Sequence, residues 1–289
     1  MLPHRRYPKW GRILTFFLLV SGLFAQIPFV FETGGRKLPE FENRVRNIAE
    51  SFESRVGIEW NIHDTIIVKT TYSREEFNRL THNAIPDWGI GAALPARGEI
   101  VLLLRDGSMS SKTAELVAHE LGHIFLHRAT GGVRVPRWFD EGFAQWSTGP
   151  TRFEQSTRLA MAFMFGTTIP LSALDDVNAW DEDRAELAYA ESRAAFDYLM
   201  DMGISPEYIF AQIRSAGDFY DGFRNASGIT VFQFYTLWAQ EGARKFNYFI
   251  LLADWRFTFL ALTILFVIFG SIKLIRIRIA EGKADEIGS

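Results

Sequence analysis

The sequence of 289 residues contains no cysteine and has little excess of either charge. Without cysteine the protein has no disulfide, thiolate metal site, iron–sulfur cluster or cysteine nucleophile. Any bound metal must therefore be held by histidine and carboxylate side chains. The 31 Lys and Arg nearly balance the 34 Asp and Glu, and the net charge of -3 predicts no nucleic-acid partner. Hydrophobic residues make up 48% of the chain, which excludes a disordered protein.

The N-terminal segment has the pattern of a membrane-targeting sequence. Basic residues precede an apolar run from Ile13 to Ala25, as in the n-region and h-region of a signal peptide. Cleavage after Ala25 is one interpretation, and an uncleaved anchor that reaches Phe31 is the other. Both assign residues 1–31 to a signal peptide or N-terminal membrane anchor, and both send the following residues across the membrane.

A second apolar segment lies near the C-terminus. Residues 257–272 contain no charge, and this length is slightly short of the ~20 residues that a spanning helix needs. Snorkelling of Arg256 and Lys273 extends the span, which predicts a transmembrane helix over residues 255–275. Residues 276–289 then form a cytoplasmic tail.

Residues 32–246 are predicted to form one α+β domain outside the cytoplasm, held at a plasma or inner membrane. Thr65–Thr70 has strand composition, and Trp88–Leu94 and Glu99–Arg105 read as a hairpin. Because strands come first and helices later, the pattern favours a small sheet followed by a mainly helical lobe. Helices are predicted at Phe41–Val56, from Ser73, at Ser111–Arg128, Phe139–Ser147, Arg152–Phe165 and Asp183–Met202, and from Pro206 onward.

The helix that begins near Ser111 contains the HExxH pattern His119-Glu120-Leu121-Gly122-His123. Two residues four positions apart lie on one face of an α-helix, so both imidazoles can bind a single metal ion. Glu120 is placed to take a proton from a water at the metal instead of binding the metal itself. The pattern predicts a zinc site with Glu120 as general base.

A third ligand is predicted in the segment PRWFDEGFA, at Glu141. The intervening residues include Gly131, Gly132 and Pro136, which allow one helix to fold back against the other. Two His and one Glu leave a fourth position for water, as in catalytic zinc sites. His127 lies on the same face as the other two imidazoles, but three ligands in line along one helix cannot surround a tetrahedral ion.

HELGH followed by PRWFDEGFA resembles the gluzincin zinc metallopeptidases, especially the peptidase MA-like family related to the M1 aminopeptidases. The similarity extends over about Ile66 to Trp238. It implies a zincin-like fold, in which the HExxH helix packs under a small sheet whose edge strand aligns a peptide or protein substrate. It also implies that His119, His123 and Glu141 bind Zn²⁺ and that Glu120 is the base.

Two positions depart from the family pattern. Some gluzincins carry an acid four residues after the ligand Glu, but here Gln145 stands there, and its amide can still accept a hydrogen bond from imidazole. The segment from Gly89 to Ala93 lacks the glutamate with which aminopeptidases bind a free amine, so exopeptidase activity is not implied.

For the oxyanion-stabilising group that the family takes from its later helices, Tyr189 is the first candidate and Tyr198 the alternative.

The sequence therefore predicts a membrane-anchored, extracytoplasmic zinc metallopeptidase. The alternative is a zinc-containing binding module that keeps the fold and the metal without hydrolysis, and the intact Glu120 argues against it. An intramembrane protease is excluded because Lys112, Glu115 and Arg128 bracket the HExxH pattern too closely for a spanning helix.

Overall fold

The computed structural model describes residues 28–56, 65–104, 110–150, 153–174, 180–246 and 255–287. The described chain is mixed α and β, mostly helical, with one small sheet at its start. This order of elements confirms the α+β class predicted from the sequence. Of the predicted leader, residues 1–27 lie outside the described part of the chain, and residues 29–31 belong to the first strand of the sheet.

Four strands form a single sheet in the order β1–β2–β4–β3. The parallel strands are β1 (Phe29–Glu32), β2 (Ile66–Thr71) and β4 (Glu99–Leu103), and β3 (Gly91–Leu94) runs antiparallel to β4 at the edge. β2 and the hairpin of β3 and β4 agree with the prediction. The sequence did not predict β1, because its apolar residues continue the hydrophobic leader and its pairing with β2 is a long-range contact.

The described residues contain ten α-helices. Every predicted helical segment is present, and the segment that begins at Pro206 divides into three helices. The helices are α1 (Pro39–Val56), α2 (Arg74–Leu80), α3 (Ser111–Ala129), α4 (Arg137–Ser147), α5 (Phe153–Phe165), α6 (Glu182–Asp201), α7 (Pro206–Ala216), α8 (Phe219–Ser227), α9 (Val231–Lys245) and α10 (Trp255–Ile287).

Alternating residues of the central strand β4 enter two hydrophobic clusters on opposite faces of the sheet. Ile100 and Leu102 belong to the large core that α1, α3, α4 and α6 build with the sheet. Val101 belongs to a smaller cluster formed with Phe77 of α2. This alternation is the two-residue period of a strand that is buried on both faces. The sheet is therefore fixed between α2 and the helical lobe.

Helix α10 contains a segment, Thr258–Arg276, that is long and apolar enough to cross a membrane. Its large apolar side chains are exposed, for example Phe266 and Phe269. No other described helix meets the same length and hydropathy criteria. This segment overlaps the predicted span over residues 255–275.

Candidate metal centre

Helix α3 presents both histidines of the HExxH pattern toward the start of α4. Ser110 caps α3 by accepting a hydrogen bond from the backbone N–H of Thr113, at 3.1 Å. One helical turn separates His119 from His123, and their rings are 4.7 Å apart and nearly perpendicular. The Nε2 atoms of the two rings are 3.1 Å apart. The four-residue spacing on α3 therefore brings the two ring nitrogens close together.

Two glycines allow α4 to approach the helices on either side of it. A Cβ atom on Gly122 of α3 would lie 2.8 Å from the Cα atom of Ala144. A Cβ atom on Gly142 of α4 would lie 2.5 Å from the carbonyl oxygen of Ser192 in α6. Real Cβ atoms do not approach other atoms this closely. Helix α4 therefore fits between α3 and α6 only because residues 122 and 142 are both glycine. The close packing brings the first turn of α4 against the histidines.

The turn between α3 and α4 contains the two glycines that the sequence analysis identified. Gly131 and Gly132 both adopt positive φ values, 69° and 79°, which strain any other residue. The backbone N–H of Gly132 donates to the carbonyl of His127, and Pro136 precedes the first residue of α4. The chain reverses here, as predicted, and α4 returns along α3.

His119, His123 and Glu141 converge on one point. Their potential ligand atoms all lie within 4.8 Å of one another, and His127 does not belong to this group. Glu141 Oε2 is 3.2 Å from His119 Nε2 and 3.8 Å from His123 Nε2. This oxygen is buried and has no hydrogen-bond partner, which is unusual for a carboxylate inside a protein. The three side chains can hold a metal ion.

The carboxylate of Glu141 also contacts a cation on its own helix. Arg137 Nη2 lies 2.7 Å from Glu141 Oε1, one helical turn away. Burial raises the pKa of Glu141, but Arg137 and the two histidines more than offset this and hold the pKa well below its usual range. Glu141 is therefore an anion at neutral pH although its side chain is only 3% exposed.

Asp140 supports the second histidine. Its Oδ1 atom is 2.7 Å from His123 Nδ1, so Nε2 of the same ring remains directed at the convergence point. Burial lowers the pKa of His123, while Asp140 and Glu141 raise it, and the result is a pKa of about 9. Gln145, which the sequence analysis considered as a support for imidazole, instead accepts a hydrogen bond from Gln155 through its side-chain oxygen.

Glu120 lies beside the three converging side chains and is not one of them. It is buried, 5% exposed, and the backbone N–H of Ala93 in the edge strand β3 donates a hydrogen bond to its carboxylate. Burial raises the pKa of Glu120, and the nearby His119 and His123 oppose part of this rise. A carboxylate with a raised pKa is suited to accept and return a proton.

The two candidate tyrosines on α6 have different surroundings. Tyr189 forms a hydrogen bond with Arg137 and interacts electrostatically with Glu141 and Glu120. Burial, the largest effect, raises the pKa of Tyr189. Tyr198 instead packs against α9, where its ring centroid is 5.8 Å from that of Phe234. Of the two, the structure brings only Tyr189 close to Glu141 and Glu120.

Sequence reasoning missed the roles of Asp140 and Arg137. Both were within the quoted segment PRWFDEGFA, and both had a usable signal. Asp140 directly precedes the candidate ligand, and Arg137 stands four residues before it, where side chains of one helix meet. A third contact had no local signal: Trp88, which precedes β3, lies edge-on to Tyr189 at 6.4 Å between ring centroids.

Comparison with known proteins identifies one family. Residues 76–241, more than half of the chain, match the family model of the Peptidase MA superfamily. The match includes α3, α4 and α6 and therefore all of the side chains described above. No curated protein sequence matches the chain.

Proposed function

The chain belongs to the Peptidase MA superfamily, and from this premise we propose that it is a zinc-dependent metallopeptidase of the gluzincin type. Family membership indicates a metallopeptidase domain that depends on a metal and acts on a peptide substrate. The zincin-like fold and the relation to M1 aminopeptidases are part of the proposal. Their support is the HExxH helix α3, the glutamate on α4, and the edge strand β3 that packs against α3.

The observation that carries the proposal is the convergence of His119, His123 and Glu141. Two ring nitrogens lie 3.1 Å apart and face a buried carboxylate oxygen that has no hydrogen-bond partner. A set of two nitrogens and one oxygen suits zinc, and three protein ligands leave the open position of a catalytic site. When bound, zinc polarises the scissile carbonyl group and lowers the pKa of a coordinated water to about 7.

Glu120 supplies the acid–base chemistry in this proposal. Its carboxylate takes a proton from the water that attacks the scissile carbonyl and returns the proton to the leaving amine. Burial raises the pKa of Glu120, so its carboxylate accepts a proton from the attacking water more readily. The backbone N–H of Ala93 holds this carboxylate next to the edge strand. An extended peptide that pairs with β3 would therefore pass directly over Glu120.

Tyr189 is proposed to donate a hydrogen bond to the oxyanion that forms on the substrate. Its contact with Arg137, which carries no acceptor, uses the phenolic oxygen and leaves the hydroxyl hydrogen available. Tyr198 remains the alternative from the sequence, but its packing on Phe234 and Trp238 favours Tyr189 for this role.

The second candidate function is a zinc-containing binding module without hydrolysis. The edge strand alone would serve this function by pairing with an extended peptide. A purely structural metal site needs no carboxylate beside its first ligand, and the buried Glu120 with its raised pKa therefore favours the peptidase.

We further propose that the domain lies outside the cytoplasm. Helix α10 would anchor it in the plasma or inner membrane, residues 276–289 would form the cytoplasmic tail, and residues 1–31 would direct export. The support is the apolar segment Thr258–Arg276 and the basic residues before Ile13. An anchored active site favours peptide or protein substrates close to the membrane.

The proposal can be tested on the full chain in detergent with two variants of α3. Glu120→Gln removes the base, and Glu115→Gln, an exposed carboxylate on the same helix, is the control. Zinc content would be measured by mass spectrometry and cleavage by profiling a peptide library. We expect zinc in all three proteins and cleavage by the wild type and the control only. Zinc without any cleavage by the wild type would support the binding module instead.

A further inference from the structure

Arg137 contacts two of the side chains that the proposed function uses. Its guanidinium lies 2.7 Å from Glu141 Oε1 and also forms a hydrogen bond with the side chain of Tyr189. Arginine has several N–H donors in a fixed plane and no acceptor, so the oxygen of Tyr189 must be the acceptor. One guanidinium thus connects a side chain on α4 with a side chain on α6.

This contact makes the two oxygens of Glu141 unequal. Oε1 is bonded to Arg137, whereas Oε2 is buried without a hydrogen-bond partner and faces His119 Nε2 at 3.2 Å. A carboxylate that is free to rotate can offer either oxygen, or both together, to a metal ion. With Oε1 held by the guanidinium, Oε2 is the oxygen that Glu141 would offer to a metal ion.

The same contact orients Tyr189. A phenol has one hydrogen, and because its oxygen accepts from Arg137, that hydrogen points away from the guanidinium. The ring is held from another side by the edge of Trp88, at 6.4 Å between centroids. The hydroxyl donor is therefore fixed relative to the carboxylate of Glu141 through a single intermediate residue.

We propose that Arg137 is a positioning residue that links Tyr189 to Glu141, and that it makes Glu141 a one-oxygen ligand of the metal. The inference rests on the proposed function, because it assumes that Glu141 binds a metal. Lysine cannot replace the arginine fully, since an ammonium group lacks the planar set of donors that reaches both partners. An ordinary ion pair on a helix surface would have almost no effect on metal binding.

The experiment measures metal affinity on the full chain in detergent, without a substrate. Zn²⁺ affinity is determined by competition with a chromophoric chelator, and the visible spectrum of the Co²⁺-loaded protein reports the coordination number. The variants are Arg137→Met, Arg137→Lys and Tyr189→Phe. The matched control is Arg158→Met, because Arg158 is similarly exposed, 39% against 30%, and pairs with Glu186 away from the site.

We expect Arg137→Met to weaken Zn²⁺ binding about 10–100-fold and to change the Co²⁺ spectrum, as the loss of a group that orients a ligand does. Arg137→Lys should give an intermediate loss, and it carries the test if Arg137→Met does not fold. Tyr189→Phe should weaken binding by a smaller factor, and should have no further effect in the Arg137→Met background. The control should match the wild type.

Other outcomes would overturn the inference in distinct ways. Unchanged affinity and spectrum in Arg137→Met would make the contact an ordinary ion pair. Tighter binding would show that the guanidinium acts only as a competing cation. Additive effects of the Tyr189 and Arg137 substitutions would break the link between them. A wild-type protein that binds neither Zn²⁺ nor Co²⁺ would instead contradict the proposed function itself.

Discussion

Asp140 and His123 are 2.7 Å apart, between Oδ1 of the carboxylate and Nδ1 of the ring. Asp140 is the neighbour of Glu141 in the chain, so the N-terminal half of α4 provides both the candidate ligand carboxylate and the support for a candidate ligand histidine. The contact directs Nδ1 of His123 at a carboxylate, so a metal ion has to displace a proton only from Nε2 of the same ring. Two consecutive residues of α4, Asp140 and Glu141, therefore contact histidine side chains of α3.

The first prediction concerns this support. Asp140→Ala should weaken zinc binding about 10–100-fold, because the ring of His123 loses its fixed tautomer and orientation. Asp140→Asn retains an oxygen acceptor and should weaken binding less. Chelator competition on the full chain measures both affinities. Wild-type affinity in Asp140→Ala would show that the packing of α3 alone orients the ring.

Removal of the candidate ligands should remove the metal. The wild type is expected to bind about one zinc ion per chain, since the three side chains form one site. The double variant His119→Ala/His123→Ala and the single variant Glu141→Ala should retain almost none after dialysis, as measured by inductively coupled plasma mass spectrometry. His127→Ala, on the same helix but outside the converging group, is the control and should keep its zinc. Stoichiometric zinc in the double variant would place the metal elsewhere.

Gly142→Ala should destabilise the domain by about 1–3 kcal/mol, the usual effect of extra volume in a packed interior. The new Cβ atom would lie 2.5 Å from the carbonyl oxygen of Ser192, and backbone can give way only if α4 and α6 separate. Thermal unfolding measures the loss, and zinc content should fall as well because Glu141 moves with α4. Gly270→Ala, with nothing within 4 Å of the added atom, is the neutral control. Equal melting temperatures for both variants would mean that the helices separate without cost.

Glu191 should make the stability of the domain depend on pH. Its carboxylate is buried in α6 and accepts the backbone N–H of Ile169 at 2.9 Å, and burial raises its pKa to about 8 despite that hydrogen bond. Between the usual pKa of 4.5 and about 8, the unfolded chain loses the proton while the folded chain keeps it. The contribution of Glu191 to stability is therefore fully present below pH 4.5 and is lost as the pH rises through about 8.

Glu191→Gln tests this dependence because an amide still accepts from Ile169 and does not ionise. We expect the variant to be more stable than the wild type by about 1–3 kcal/mol above pH 8, and nearly equal to it below pH 5. Denaturant titrations at several pH values give the comparison. A constant difference between the two proteins over the whole range would show that Glu191 does not titrate on unfolding.

The proposed topology predicts the behaviour of two fusions. An enzyme that is active only after export should be active when joined at Glu241, at the end of the domain. The same enzyme joined after Ile287, at the end of α10, should be silent, because basic residues that follow the apolar segment favour the cytoplasm. The reverse pattern would put the domain in the cytoplasm, without any consequence for the zinc site.

The sequence by itself determined the parts of this protein that depend on local spacing. Residues four apart share a helix face, so HELGH places His119 and His123 on the same side of α3. Glycine and proline after α3 predicted the reversal of the chain, and the apolar segment near the C-terminus predicted α10. Strand composition identified β2 and the hairpin. In each case the deciding interactions are between residues close together in the chain.

Tertiary structure decided the rest, because packing joins residues that are distant in sequence. β1 exists through its pairing with β2, so no local pattern separated it from the hydrophobic leader. Asp140, and not Gln145, supports a histidine, because the close fit of α4 between two helices sets which side of it faces α3. The same fit brings Tyr189 to Arg137 and leaves Tyr198 against α9, a choice that their shared helix does not reveal.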